Sequence, residues 1–348
     1  MINGKAVVNV VGVLLVLLAG FMLTPLLFTA YFGANDGFAL GLSALCTGTF
    51  GAFLWAFTRG ASKQVGKREG YLIVALGWLF VALCSGLPYW FSGALPTYTD
   101  AFFESVSGLT TTGASVINDI EGLPQGVLFW RSLTQWIGGM GIIVLTVALF
   151  PLLGIGGVEL FVAEAPGPTS DKVHPRIKET AKRLWLIYVG LTVTLTFLLL
   201  AWGMTGYDAI NHALTTMATG GFSTKNASIA YFDAPAIQYT ITFFMFLAGI
   251  NYTITYYALK GDFKRVWQSD EFKTYLLLIV VLAVIFTTTV YQITDLSFEQ
   301  SFRDSIFQIL ALVTTTGFVS ADYTAWTPAL TVICFCLLFV GACAGSTS

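Results

Sequence analysis

Three stretches of this 348-residue chain close on threonine and glycine in matching fashion: Asp100–Gly113, Asp208–Gly221 and Asp304–Gly317. Aligned on their terminal glycines, at intervals of 108 and 96 residues, each carries an Asp thirteen residues earlier. The same alignment stacks Glu104 on His212 and Gln308, Leu109 on Met217 and Val313, and Thr111 on Thr219 and Thr315. Self-similarity at this spacing marks a fold assembled from repeated units. What threonine and glycine in such a turn supply is backbone carbonyls. Glycine lets those carbonyls aim one way and puts no side chain in their path, and several such turns around one axis present oxygen rings that replace the water around a dehydrated cation.

The elements that must position these turns are legible beside them. Each turn follows a semi-polar stretch of about eleven residues predicted to be helical, half of what a bilayer crossing needs, so it is expected to enter from one face and return. Asp100, Asp208 and Asp304 stand where a helix start wants an acceptor and where the helix dipole favours negative charge. The opposite end of each helix, partly negative, then points toward mid-membrane. Irregular backbone at that depth is tolerated only where it lines a water-filled cavity or is buried in protein, which predicts a pore.

Composition agrees. The chain is 56% hydrophobic and only 10% charged, with a mean hydropathy of +0.77, against about 25% charged in soluble domains. Spans are predicted at Val7–Phe32, Phe38–Phe57, Gly70–Phe91, Val127–Leu153, Leu184–Met204, Ala236–Leu259, Tyr275–Ile293 and Thr327–Ala344. The first is too long for a signal-peptide core and is expected to be retained. Of the 17 Lys and Arg, all but Arg131, Lys225 and Arg303 fall in alternate loops, which the positive-inside rule places in the cytoplasm together with the amino terminus. The opposite loops hold Asp36, Asp100, Glu104, Asp119, Glu121, Asp208, Asp233, Asp295, Glu299, Asp304 and Asp322, an acidic outer face expected to attract cations. The five cysteines lie in predicted spans without metal-ligand spacing and are expected to pack as small apolar groups.

The segments TTTGAS (Thr110–Ser115), ATGGFS (Ala218–Ser223) and TTTGF (Thr314–Phe318) resemble the filter sequences of the TrkH/KtrB/HKT superfamily of potassium transporters. So do RSLTQWIGGMGIIVL (Arg131–Leu145), AEAPGPTSDKVHPRIKETAKRLW (Ala163–Trp185) and GACAGSTS (Gly341–Ser348), and the resemblance covers the whole chain. It implies an all-α integral membrane protein in which an N-terminal two-helix hairpin precedes repeats of span, pore helix, filter loop and span around a central ion pore. On that basis residues 1–60 form the hairpin, 61–160 the first repeat, 161–262 the second and 263–348 the third. The implied filter for the transported K⁺ is Thr111, Thr112 and Gly113; Thr219, Gly220 and Gly221; and Thr315, Thr316 and Gly317. Gly341, Ala342, Cys343, Ala344, Gly345 and Ser346 would begin a gating loop that breaks the last helix. A homodimer in the bacterial inner membrane and a cytoplasmic nucleotide-binding regulatory subunit are the implied partners, and glycine at all three filter positions implies K⁺ over Na⁺. The family has four repeats; no residue here matches the fourth, so the chain is expected to be a piece that forms no selective pore by itself.

Some readings stay open at this stage. Glu104 suits either a cation site at the pore mouth or a hydrogen-bonded anchor behind the filter, and His212 occupies the same repeat position without a metal partner. Gly138, Gly139 and Gly141 suit close packing. A cation–proton secondary transporter would call for carboxylates mid-membrane, and the full spans have none. Enzymatic signatures such as HExxH or a P-loop are absent, Gly66–Lys67 lacking the earlier glycine, so no enzyme is expected.

Overall fold

The computed structural model describes residues 2–60, 67–141 and 177–347. Described residues form helices and turns only, in two compact units: one from the chain up to Thr110 and from Ala114 to Trp185, the other from Thr111–Gly113 and Leu186 onward. The latter part of the expected span Val127–Leu153, Lys63, His174 and most of Ala163–Trp185 lie outside the described residues.

The first unit opens with α1 (Gly4–Met22), α2 (Leu26–Phe32) and α3 (Gly37–Phe57). α1 and α3 pack as the expected hairpin. Their contact is backbone on backbone: a Cβ on Gly51 would stand 2.8 Å from the Gly12 carbonyl oxygen, and one on Gly12 would stand 2.7 Å from the Trp55 nitrogen. Without a hydrophobic drive inside lipid, such close approach of small residues supplies the association. α4 (Lys67–Ser85) and α5 (Leu87–Phe91) follow, then α6 (Tyr98–Leu109) and α7 (Gln125–Gly139). Where α4 stops, its last carbonyls are taken up by side chains: Ser105 Oγ donates to Ala82 at 2.8 Å, Tyr98 Oη to Leu83 at 2.7 Å and Trp130 Nε1 to Ser85 at 3.0 Å. α6 and α7 are thereby tied to the end of a membrane span.

From Leu186, within α8 (Ile177–Ala201), the chain belongs to the second unit, which holds the rest of that helix and α9 (Gly206–Met217), α10 (Pro235–Ala248), α11 (Tyr252–Leu259), α12 (Phe263–Gln268), α13 (Asp270–Ile293), α14 (Phe298–Val313) and α15 (Pro328–Leu337). α14 packs against both α10 and α13. Among the described residues, five helical stretches are long and apolar enough to cross a membrane: Gly4–Phe32, Gly37–Phe57, Arg68–Phe91, Lys182–Ala201 and Asp270–Ile293. They coincide with five of the expected spans.

Two spans differ from expectation. Ala236–Leu259 is no single rod: α10 and α11 meet at 110° across Gly249–Asn251. Thr327–Ala344 is helical only from Pro328 to Leu337. Apolar composition fixes that a segment is buried, but it does not distinguish a straight helix from a bent one.

Candidate ion filter and its supports

α6, α9 and α14 have 12, 12 and 16 residues, and each leads into a Thr/Gly turn. At 1.5 Å per residue the first two reach about 18 Å, too short to span. Their caps differ from the expected Asp residues. Thr97 Oγ1 accepts from the Asp100 N–H at 3.1 Å and donates to Asp100 Oδ2 at 2.7 Å; Thr205 and Asp208 repeat the arrangement at 3.1 and 2.8 Å. Threonine is the cap, and Asp in the first turn accepts from its hydroxyl, which orients the cap. In the third copy the helix starts a turn earlier, capped by Ser297 on the Gln300 N–H, which leaves Asp304 in the second turn.

The turns themselves share one backbone. Thr111, Thr219 and Thr315 have φ of 55°, 52° and 54°, and Gly113, Gly221 and Gly317 have 76°, 74° and 75°. The intervening Thr112, Gly220 and Thr316 are not left-handed. A threonine in left-handed backbone costs about 1–2 kcal/mol, so surrounding contacts must impose it three times over. In the second turn the Gly220 N–H donates to the Thr215 carbonyl at 2.9 Å and Thr219 N–H to Thr216 at 3.0 Å; in the third, Gly317 N–H donates to Ala311 at 2.9 Å and Thr315 N–H to Leu312 at 3.0 Å. Alternating handedness of this kind lets successive carbonyls point toward one side, the arrangement a carbonyl-lined cation filter needs. By packing, Thr111–Gly113 joins the unit that holds the other two turns rather than the one holding its flanking chain. A Cβ on Gly221 would collide with the Thr316 carbonyl oxygen, so two of the turns run side by side at a distance only glycine permits.

Behind each turn the residue at the shared helix position grips the chain just past the glycine. Glu104, fully buried, accepts from Arg131 Nε at 2.7 Å, Ser115 Oγ at 3.0 Å and the Val116 N–H at 3.1 Å. His212 sits 2.8 Å from the Asp208 carbonyl through Nδ1 and 2.9 Å from Ser223 Oγ through Nε2. A carbonyl only accepts, so Nδ1 carries the proton and Nε2 accepts from the serine. Gln308, with its amide oxygen facing the backbone, accepts from Ser320 N–H at 2.8 Å. Of the two readings left open for Glu104, the structure favours the anchor behind the turn. The expected acidic outer face is correspondingly thinner. Asp36 is buried, accepting from Thr29 Oγ1 at 2.7 Å and the Val127 N–H at 2.8 Å, and Asp208 is buried with Thr224 Oγ1 at 2.6 Å. Asp119, Glu121, Asp233, Asp295, Glu299 and Asp322 stay exposed.

The expected gating residues Gly341, Ala342, Cys343, Ala344, Gly345 and Ser346 are non-helical and lie on the bend between α10 and α11. Cys343 N–H donates to the Gly249 carbonyl at 3.0 Å, Tyr252 N–H to Gly345 at 3.2 Å, and Thr347 Oγ1 to the Met217 carbonyl at 3.0 Å. Thus the segment reaches the end of α9, directly before the second turn. The bend escaped sequence reading, although a signal existed: Gly141, Gly249 and Gly345 each follow their turn glycine by 28 residues. In the first copy, α7 likewise ends at Gly139. Gly138 packs as expected, since a Cβ there would strike the Leu109 carbonyl oxygen.

A family model described as "TrkH: Cation transport protein" matches residues 40–348. The "Trk system potassium uptake protein TrkH" of Escherichia coli strain K12 is 41% identical over 351 aligned positions, covering 99% of this chain and 72% of that protein. The Halomonas elongata protein of the same description is 39% identical over 348 positions, again at 99% and 72% coverage. Among solved structures, the crystal structure of the potassium transporter TrkH from Vibrio parahaemolyticus superposes with a TM-score of 0.87 at 35% identity, covering 100% of this chain and 72% of that one.

Proposed function

The chain belongs to the TrkH family of cation transport proteins, and on that premise we propose that it takes up potassium across the cytoplasmic membrane through a selective pore. The filter consists of Thr111, Thr112 and Gly113; Thr219, Gly220 and Gly221; and Thr315, Thr316 and Gly317. One observation carries this reading: the same left-handed threonine and left-handed glycine, at φ near 54° and 75°, recur at the end of three short helices. A strained backbone repeated three times argues for a shared ligand, and carbonyls in place of hydration water suit a dehydrated K⁺. The negative end of each of α6, α9 and α14 favours a cation beside the turn that follows it. Potassium uptake in the names of the relatives supports K⁺ as the cargo.

The remaining parts of the reading follow from this one. The amino terminus is cytoplasmic, residues 1–60 are a hairpin outside the repeats, and the repeats occupy 61–160, 161–262 and 263–348. Uptake is driven by an inside-negative potential, which supplies about 2.3 kcal/mol per charge for each 100 mV. The segment Gly341–Ser346 is the gate, supported by its seat beside the end of α9, and a nucleotide-binding subunit on the inner face moves it in a dimer of two such chains. Rb⁺ uptake into proteoliposomes by the complete four-repeat protein, competed by K⁺, Na⁺ and Li⁺, is expected to fall with K⁺ and Rb⁺ and to resist Na⁺ and Li⁺. Gly113→Ser, at φ 76°, is expected to lower the K⁺/Na⁺ preference. Equal competition by Na⁺ and K⁺ in the unmodified protein overturns the selective filter.

A further inference from the structure

We infer that Glu271 and Asn251 form a latch that holds the 341–347 segment shut by gripping both backbone polar groups of Ala344. This rests on the gating role proposed above and assigns the residues that set its resting position. Because α15 ends at Leu337, Ala344 has no helical partner for its N–H or its carbonyl, and two side chains supply the partners instead. Glu271 Oε1 accepts from the Ala344 N–H at 2.5 Å, and Asn251 Nδ2 donates to the Ala344 carbonyl at 2.7 Å. The two side chains come from different repeats, 93 and 73 residues from their target.

Neither side chain is fully explained by its own helix. Ser269 already caps α13, its hydroxyl accepting from the Phe272 N–H at 3.3 Å, so the carboxylate of Glu271 is free to serve the loop. Asn251 does two jobs at once: Oδ1 caps α11 by accepting from the Thr253 N–H at 2.9 Å, and this turns Nδ2 toward Ala344. The carboxylate contact is charge-assisted and stronger than a neutral one. Around this pair the Cys343 N–H to Gly249 and Tyr252 N–H to Gly345 bonds complete the seat. Movement of the segment must therefore release the Ala344 grips first or together with these.

The two jobs of Asn251 permit a clean separation. Asn251→Asp keeps an oxygen to cap α11 but sets a carboxylate against the Ala344 carbonyl; Glu271→Ala removes the acceptor, and Glu271→Gln retains one. Measured as Rb⁺ uptake by the complete four-repeat protein, purified into liposomes without a regulatory subunit, Asn251→Asp and Glu271→Ala are expected to raise basal flux about fivefold, the shift one hydrogen bond exerts on a two-state equilibrium. The K⁺/Na⁺ preference stays as in the unmodified protein, and Glu271→Gln stays near it in flux. A thiol reagent followed by peptide mass analysis reads the same release directly: Cys343, buried in its seat, is expected to label about fivefold faster in both variants. Replacement of 341–346 by a serine–glycine stretch is the companion experiment. If that replacement raises flux while the two point variants leave both flux and Cys343 labelling unchanged, the latch is wrong and the gate survives. If the replacement leaves flux unchanged, the gate is wrong and the latch falls with it.

Discussion

The three Thr/Gly turns and the two helix breaks that follow the second and third of them behave in opposite ways. Across the turns the threonine φ varies only between 52° and 55° and the glycine φ between 74° and 76°. Across the two breaks among the described residues the outcome differs: α10 bends by 110° into α11, and α15 gives way to a segment seated on that bend. On the proposed filter reading, groups that surround one ion must all meet the same distance requirement, which accounts for identical backbone kept at the cost of strain. A gate needs one repeat to differ from the others, since a single moving segment closes a pore. The anchors behind the turns lie between these extremes, with one geometric task done by a carboxylate, an imidazole and a carboxamide.

The sharpest way to break that comparison is at Gly221. Gly221→Ala adds left-handed strain and a collision with the Thr316 carbonyl oxygen, together about 2–4 kcal/mol. Rb⁺ uptake is expected to fall by well over an order of magnitude. An intermediate effect is expected from Glu104→Ala, which leaves Arg131 buried without its 2.7 Å partner and costs about 3–5 kcal/mol of stability. Thermal unfolding in detergent checks it, and Glu104→Gln, which keeps an acceptor, is expected to lose less. This variant perturbs stability more than flux, whereas Gly221→Ala does the reverse. The smallest effect belongs to Gly317→Ala: its φ of 75° matches Gly221, but a Cβ there meets nothing within 4 Å. Only strain of about 1–2 kcal/mol remains, so uptake and K⁺/Rb⁺ preference are expected to change far less. Equal losses at positions 221 and 317 would mean that backbone handedness alone, and not the approach of neighbouring turns, governs the filter.

Much of this was readable before any coordinates. The short helices announced themselves by length, the turns by three aligned Thr/Gly endings, and the hairpin by two long apolar runs. All three are consequences of the bilayer as solvent: it demands about 20 apolar residues per crossing and allows irregular backbone only where protein or water surrounds it. Those demands act on local composition, which is what a sequence displays. Gly138 was legible for the same reason, as a small residue in an apolar run.

What the tertiary structure decided was each partner. Asp100 and Asp208 looked like caps but serve threonine caps three residues before them, and Asp304 lost the role because its helix begins a turn earlier at Ser297. Glu104 and Asp36 read as outward charges until Arg131 and the Val127 N–H arrived beside them, 27 and 91 residues away. Asn251 and Glu271 carried no signal at all, since their common target at Ala344 is set by where a third segment ends its helix. A sequence declares which backbone groups the membrane will refuse to leave unpaired. Which side chain answers each of them depends on the distances that packing creates, and those exist only in the folded chain.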